Sequence, residues 1–159
     1  MANNKHEITE EYKKQLEEEL DNLNNVLIPQ NVQALQEARS QGDLSENADY
    51  DAARDEQARL NARLVEIKDI LKNSIIIKLD NSSNVQNGKY VVLEYEGPAG
   101  KETKKFQLVG SVEADIFSDK LSNASPFGKA ILGHKKGDTV RVVAPKGMIN
   151  VTIVDVTNA

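Results

Sequence analysis

Residues 42–50 read Gly-Asp-Leu-Ser-Glu-Asn-Ala-Asp-Tyr, and they decide the fold of the first half because they separate two matching leucine patterns. The first pattern places apolar residues at intervals of four, three and four, at Leu16, Leu20, Leu23 and Leu27. The second repeats these intervals at Leu60, Leu64, Ile67 and Leu71. Such spacing is typical of a coiled-coil seam. Antiparallel pairing, with Leu16 facing Leu71 and Leu35 facing Ala52, predicts a helical hairpin that turns at residues 43–44.

The two helices of this hairpin are predicted over residues 9–39 and 45–71. A helix over residues 9–39 is roughly 45 Å long, since each residue adds ~1.5 Å. Pro29 lies inside it and removes a backbone hydrogen bond, so we expect a kink near Ile28. A hairpin of this length would hold two carboxylates, Asp43 and Glu46, at its far end. That arrangement suits a group that must reach into a deep site on another molecule.

The chemistry of the chain changes after Asn73, where valine and isoleucine replace the leucine pattern. Strands are predicted over residues 75–77, 90–95, 106–109, 139–143 and 151–156, with glycine and proline turns between them. A short helix is predicted over residues 127–132. The fold class is therefore α+β, with a coiled-coil hairpin over residues 1–74, an acidic tip at residues 42–47, and a small antiparallel β domain over residues 75–159.

Charge and composition restrict the partners and the compartment. Residues 1–75 carry 9 Lys and Arg against 16 Asp and Glu, a net of −7, while residues 76–159 carry 11 against 9, a net of +2. An acidic chain does not hold free nucleic acid by bulk electrostatics, so nucleic-acid contacts should be local or made through a partner. No cysteine is present, which excludes thiolate metal sites. No signal-like or membrane-spanning apolar run is visible, and a cytoplasmic protein is expected.

Two interpretations fit the pair Asp43 and Glu46. Asp-x-x-Glu before a helix is a capping box, in which Asp43 would accept from the amide of Glu46. Alternatively, the pair binds a divalent cation such as Mg²⁺, which takes oxygen ligands and often only one or two protein carboxylates. Two carboxylates make an incomplete site, so a partner would have to supply the other ligands.

The arginines near the tip also allow two interpretations. Arg39, Arg54, Arg59 and Arg63 fit a solvated helix face, particularly with acidic neighbours at Asp55 and Glu56. A small basic patch for a phosphodiester strand is the competing hypothesis. Elsewhere the sequence offers no self-contained active site: His6 and His134 stand alone, and residues 133–137 lack the phosphate-loop pattern.

The segment at residues 42–50, continued by Asp-Ala-Ala-Arg-Asp-Glu-Gln at residues 51–57, closely resembles the tip signature of the bacterial Gre transcript-cleavage factors of the A type. Residues 8–20 resemble the opening helix of that family. Residues 108–115 and 125–133 resemble its C-terminal domain. Three separate matches in the same order cover nearly the whole chain.

The resemblance implies a C-terminal domain similar to FK506-binding proteins (FKBP-like) that docks at the rim of the RNA polymerase secondary channel, while the coiled coil enters the channel. Asp43 and Glu46 would help to hold the second Mg²⁺ of the polymerase, jointly with polymerase aspartates, so that the polymerase cuts the backtracked RNA 3′ end. Arg39 and Arg54 match basic positions and would contact RNA. Ser125, Pro126 and Phe127 would form the polymerase-docking segment. The protein would be a monomer, and not itself an enzyme.

Several departures and alternatives accompany this interpretation. Ser45 replaces a lysine found in some relatives, which makes the tip less basic. One alternative is a channel-binding paralogue that inhibits polymerase without promoting cleavage. Others are a prolyl isomerase, disfavoured because the chain has no Trp and only 3 Phe and 4 Tyr, and a structural coiled-coil adaptor. Phe127 also fits a core position rather than a contact.

Overall fold

The computed structural model describes residues 5–43, 47–145 and 147–159, and within them the chain forms two compact units. One unit spans residues 11–74. The other combines residues 75–159 with the N-terminal segment through Glu10. The predicted hairpin and β domain are both present, which confirms the α+β fold class. The N-terminal segment, however, packs with the β domain rather than with the hairpin.

The hairpin unit consists of two long helical runs. The first begins at α1 (Glu10–Asn22), continues through a π-helical turn (Leu23–Leu27) and ends with α2 (Ile28–Ser40). The second run is α3 (Ala48–Lys72). Both helices appear within one or two residues of their predicted bounds, apart from the start of α3, whose prediction at Ser45 lies outside the described residues.

Pro29 does not interrupt the first run. The π turn immediately before it carries a bond from the backbone N–H of Ile28 to the carbonyl of Leu23, five residues back. A π turn accommodates one extra residue per turn and commonly marks an irregularity in a helix. Near Ile28, where a kink was expected, the structure has this π turn, and Pro29 lies in the first turn of α2, where a missing N–H is tolerated.

The π turn also changes the register of the seam. Buried side chains recur at intervals of seven, eight and seven in the first run, at Leu16, Leu23, Asn31 and Ala38. In α3 they recur at intervals of seven, at Ala53, Leu60 and Ile67. The interval of eight, from Leu23 to Asn31, contains the π turn, which uses one more residue than an α-helical turn. The predicted contact of Leu35 with Ala52 is therefore wrong: Ala52 is exposed, and Ala53 is buried.

Asn31 marks this register with a polar contact inside the seam. Its side-chain amide is buried and donates to the carbonyl of Ala53 at 2.9 Å. A single buried polar group in a coiled-coil seam favours the one register in which it is satisfied. Further along, Arg63 Nε and Nη2 donate to the two carboxylate oxygens of Glu19 at 2.7 and 2.8 Å and link the two runs.

The β domain is a five-stranded sheet in the order β5-β4-β3-β7-β6. Its strands are β3 (Tyr90–Gly97), β4 (Gly100–Val109), β5 (Lys120–Ser122), β6 (Thr139–Ala144) and β7 (Gly147–Thr157). All neighbours are antiparallel except β4 and β5, which are parallel, so the sheet is mixed rather than antiparallel throughout. Helix α4 (Pro126–Ile131) contributes Ile131 to a core that comes mainly from alternate strand residues.

The N-terminal segment joins this unit through a two-stranded sheet. Strand β1 (His6–Ile8) pairs with β2 (Ser74–Ile76), and Ile8 is fully buried. The backbone N–H of Thr9 donates to Glu113 Oε1 at 3.0 Å, and Thr9 Oγ1 donates to Oε2 at 2.7 Å. Glu113 is itself buried and receives Lys120 Nζ at 3.5 Å. These contacts fasten residues 5–10 to the β domain.

A buried lysine organises the loop before β3. Lys89 is 0% exposed, and its Nζ donates to Asp80 Oδ1 at 2.5 Å, the Ser82 carbonyl at 2.7 Å and the Asn84 carbonyl at 3.2 Å. A buried charge requires such partners because desolvation is otherwise very costly. The lysine therefore closes the loop over residues 80–84.

Candidate functional site

The hairpin turn, of which the structure describes residues 41–43 and Asn47, begins where α2 ends. The backbone N–H groups of Gln41 and Gly42 donate to the carbonyls of Ala38 and Arg39. Gly42 has a φ of +112°, a conformation that glycine adopts without steric cost, and it directs the chain out of the helix. Asp43 follows and is exposed. Glu46, the second predicted carboxylate, lies outside the described residues.

Asn47 fastens the far side of this turn. Its Oδ1 accepts the backbone N–H of Tyr50 at 3.0 Å and caps α3, while its Nδ2 donates to the carbonyl of Ala38 at 2.6 Å. One side chain thereby satisfies the start of α3 and the end of α2. One of the two interpretations of Asp43 and Glu46 was a capping box at the start of the second helix, whereas the N-cap of α3 is Asn47. Asparagine is a favoured N-cap residue, and its position directly before the helical pattern was the signal in the sequence.

Arg39 and Arg54, the two predicted RNA-contact residues, converge on Tyr50. The guanidinium carbons of Arg39 and Arg54 lie 5.8 Å and 6.0 Å from the centre of the Tyr50 ring. A hydrogen bond with Arg39 is the main reason that the pKa of Tyr50 lies below its ordinary value, and the charges of both arginines act in the same direction. The structure therefore places these two residues, which come from two different helices, beside the same ring at the end of the hairpin that carries Asp43.

The other two arginines of the predicted patch have acidic partners. Arg59 pairs with Glu56 one turn earlier, and Arg63 pairs with Glu19 and Glu66. Glu19, through its hydrogen bond, is the main cause that raises the pKa of Arg63 above its already high value. Arg39 and Arg54, by contrast, form no salt bridge within the described ranges. The solvated-face interpretation thus fits Arg59 and Arg63, and the basic-patch hypothesis is left with Arg39 and Arg54.

The described residues contain no cluster of three or more His, Asp or Glu side chains placed to hold a metal ion. Asp43 offers the oxygen donor that Mg²⁺ prefers, and a single exposed carboxylate in a turn suits a site completed by another molecule. The same part of the chain has no helix that is long and apolar enough to cross a membrane.

The predicted docking segment, Ser125–Phe127, forms the start of α4. Ser125 Oγ accepts the backbone N–H of Gly128 at 3.0 Å and donates to the Ser122 carbonyl at 2.6 Å. Gly128 is required there, since a Cβ atom would overlap the Ser122 carbonyl oxygen. Pro126 is exposed. The structure therefore presents Pro126 on a turn that the Ser125 hydrogen bonds hold.

Phe127 points its ring toward the protein. It is half-buried, packs against the β-domain core and meets the Tyr95 ring edge-on, with 5.9 Å between ring centres. This placement favours the core interpretation of Phe127 that the sequence analysis left open.

Sequence reasoning missed a second surface feature of this domain. Ile116 and Phe117 are 78% and 97% exposed on a single 3₁₀ turn. Asp115 fixes that turn, because its Oδ1 accepts the Phe117 N–H at 3.0 Å and its Oδ2 accepts the Ser118 hydroxyl at 2.9 Å. The Asp-x-x-Ser spacing was the available signal.

Comparison with known proteins gives matches along nearly the whole chain. A family model described as the N-terminal part of a transcription elongation factor (GreA_GreB_N) matches residues 6–76, and a model of the GreA/GreB C-terminal part matches residues 80–158. Transcription elongation factor GreA of Acholeplasma laidlawii is 47% identical over 144 residues, covering 89% of this chain and 90% of the relative. GreA of Staphylococcus saprophyticus is 44% identical over 151 residues, covering 94% of each.

A solved structure, GreA factor homolog 1 (Gfh1) of Thermus thermophilus, is 30% identical, covers 96% of this chain and 99% of that chain, and gives a TM-score of 0.45.

Proposed function

Because the chain belongs to the GreA/GreB family of transcription elongation factors, we propose that it enters the RNA polymerase secondary channel and stimulates the polymerase's own cleavage of backtracked RNA. The observation that supports this most is the composition of the hairpin end. An exposed carboxylate, Asp43, lies in the turn, and Arg39 and Arg54, which form no salt bridge with any described residue, lie close to the same turn in the sequence and approach Tyr50. A carboxylate and two guanidinium groups thus lie at the same end of a long helical hairpin.

Asp43 and Glu46 are the proposed ligands for an Mg²⁺ ion shared with the polymerase, whose aspartates complete the site. The ion, when bound, would act as a Lewis acid and would lower the pKa of an attacking water molecule. The chain's own contribution is position. Helices α1 and α2 span Glu10 to Ser40 together with the π turn, a run roughly 45 Å long, and Asn47 links the end of α2 to the start of α3.

Arg39 and Arg54 are the proposed contacts for the RNA backbone. A guanidinium group binds phosphate oxygens through paired N–H donors and remains charged at any physiological pH. The overall charge of −5 opposes binding of free nucleic acid, so this contact would form only when the polymerase places the RNA end beside the hairpin turn.

The β domain is the proposed docking unit, with Pro126 as the exposed part of the contact. Ser125 would hold the turn, and Phe127 would support it from the core side. In this scheme the nuclease centre belongs to the polymerase. The factor acts in the cytoplasm as a monomer and is not itself an enzyme.

The test is RNA cleavage in a purified backtracked elongation complex with Mg²⁺. The wild-type factor should shorten the RNA from its 3′ end, and Asp43→Asn combined with Glu46→Gln should abolish this while polymerase binding persists. Asp51→Asn, which removes an exposed carboxylate from the first turn of α3, is the matched control and should cleave normally. Normal cleavage by the double variant would refute the carboxylate mechanism. A wild-type protein that binds and inhibits without cleavage would establish the inhibitory alternative.

A further inference from the structure

Two positive side chains approach the same aromatic ring at the hairpin end, and within the described residues neither of them forms a salt bridge. Arg39 comes from the last turn of α2 and Arg54 from the second turn of α3, yet both guanidinium groups lie about 6 Å from one ring. Like charges repel each other, and flexible exposed side chains normally separate to reduce that repulsion. Two guanidinium groups beside the same ring therefore need a neighbouring group that can offset their repulsion.

Tyr50 has the properties that can do so. The face of an aromatic ring is electronegative and attracts cations, and a phenol oxygen can accept a hydrogen bond from a guanidinium group. A hydrogen bond with Arg39 is the largest cause of the lowered pKa of the Tyr50 hydroxyl, which agrees with the position of the Arg39 guanidinium beside the ring. Tyr50 therefore offers two kinds of attraction to two cations.

The backbone of Tyr50 is fixed independently of its side chain. Its N–H donates to Asn47 Oδ1, and Asn47 is in turn bound to the carbonyl of Ala38 in α2. The ring is thus carried by the first turn of α3, whose backbone is linked through Asn47 to the end of α2. A substitution of the Tyr50 side chain leaves both of these hydrogen bonds available.

We propose that Tyr50 is a positioning residue that holds Arg39 and Arg54 together as one two-guanidinium site for a phosphodiester of the transcript. This inference rests on the proposed function, since the transcript reaches the site only inside the polymerase. Arg59 and Arg63 show the contrast: each is paired with glutamate, which leaves less of its charge for a phosphate. At the Tyr50 site an uncharged ring replaces the carboxylate, and the net charge of the pair remains +2.

The first experiment uses full-length variants in the backtracked complex and separates the factor concentration that gives half-maximal cleavage from the maximal rate. Tyr50→Leu removes the ring and should raise the half-maximal concentration by roughly 5- to 30-fold, the loss expected for two exposed cation–π contacts. Tyr50→Phe keeps the ring and should raise it less than about 3-fold. The maximal rate should stay near the wild-type value, because Asp43 and Glu46 are unchanged.

Arg59→Gln is the matched control for this series. It removes one positive charge from the same helix but from a residue that is already paired, so its half-maximal concentration should equal that of the wild type. Arg39→Gln should raise the half-maximal concentration. If Arg39→Gln does so while Tyr50→Leu behaves as wild type, the positioning role of Tyr50 is refuted. A Tyr50→Leu variant that loses only maximal rate also contradicts it.

A second experiment needs no polymerase. The four tyrosines are labelled with ¹³C at Cζ, and the Tyr50 signal is assigned by its loss in Tyr50→Phe. The Tyr50 hydroxyl should titrate at a lower pH in the wild-type protein than in Arg39→Gln or Arg54→Gln. Equal titration in all three proteins would overturn the arrangement whatever the cleavage assay shows. Failure of wild-type cleavage with the expected titration would instead refute the proposed function alone.

Discussion

At the scale of single residues, Lys89 and Asp80 show how a charge is kept inside this protein. The side chain of Lys89 is fully buried, whereas that of Asp80 is 60% exposed. The hydrogen bond with Lys89, followed by those with Ser82, lowers the pKa of Asp80 to about 2. A carboxyl whose pKa is depressed in the folded state stabilises the fold while it is ionised.

This pair predicts a pH dependence with a definite sign. The stabilisation from Asp80 should be complete above the ordinary carboxyl pKa and should disappear as the pH falls from about 4 to about 2. Asp80→Asn should therefore be less stable than the wild type at pH 7, and the difference should shrink over that range when urea unfolding is followed by circular dichroism. Asp119→Asn, in the exposed pair with Lys104, is the control and should have little effect. A pH-independent difference between Asp80→Asn and the wild type would contradict the interpretation.

Phe127 provides a second residue-scale prediction. Because it packs on the core and on Tyr95, Phe127→Ala should lower the free energy of unfolding by about 2 to 3 kcal/mol, less than a fully buried phenylalanine would. Pro126→Ala changes only the exposed neighbour and should leave the melting temperature nearly unchanged while weakening retention on polymerase. Unchanged stability of Phe127→Ala together with weakened polymerase binding would instead make Phe127 the contact.

At the scale of elements, the hairpin depends on two local devices. The π turn before Pro29 adds one residue to the first run and keeps its buried face aligned with that of α3. Asn47 then joins the ends of α2 and α3 through one side chain. The π turn and Asn47 both affect how the two helical runs are aligned, and this alignment decides which residues lie next to the turn.

The role of Asn47 can be divided by two substitutions. Asn47→Ala removes the cap and the bridge to Ala38, so it should lower the free energy of unfolding of the hairpin by about 2 kcal/mol. Asn47→Asp keeps an acceptor for the Tyr50 amide but cannot donate to the Ala38 carbonyl, and about half of that loss is expected. Urea titrations of the two full-length variants measure both values. If Asn47→Asp is as unstable as Asn47→Ala, the cap contributes little.

At the scale of the whole molecule, the two compact units are not two consecutive segments of the chain. Residues 5–10 belong with the β domain through β1, the buried Ile8 and the Thr9–Glu113 hydrogen bonds. A buried carboxylate that loses such donors is destabilised, because its desolvation is no longer compensated. A fragment that starts at Ile75 therefore lacks a part of its own domain.

This organisation predicts the behaviour of fragments. A fragment of residues 75–159 should melt at a lower temperature than the same fragment with residues 5–10 joined to its start through a flexible Gly-Ser linker. The linked fragment should compete with the full chain for polymerase without stimulating cleavage, since it lacks Asp43 and Glu46. Equal melting temperatures would mean that the N-terminal segment adds nothing to the domain. Cleavage stimulated by either fragment would contradict the assignment of activity to the hairpin.

The sequence alone was sufficient for the hairpin, the β domain and the location of the turn. Two leucine patterns with the same heptad-like intervals favour two helices that bury each other, and valine-rich segments between glycine turns favour strands. These are local signals, repeated along the chain, and they do not depend on where distant residues lie. The acidic turn and the two candidate arginines were visible for the same reason.

Tertiary structure decided the features that depend on contacts between distant residues. The grouping of Arg39 with Arg54 at Tyr50, the buried Glu113 that receives Thr9 from 104 positions away, and the parallel pairing of β4 with β5 have no local signature. The same holds for Phe127, whose sequence position fits surface and core equally well. Composition and spacing specify which elements form, whereas burial and charge pairing between elements are set only when the chain has folded.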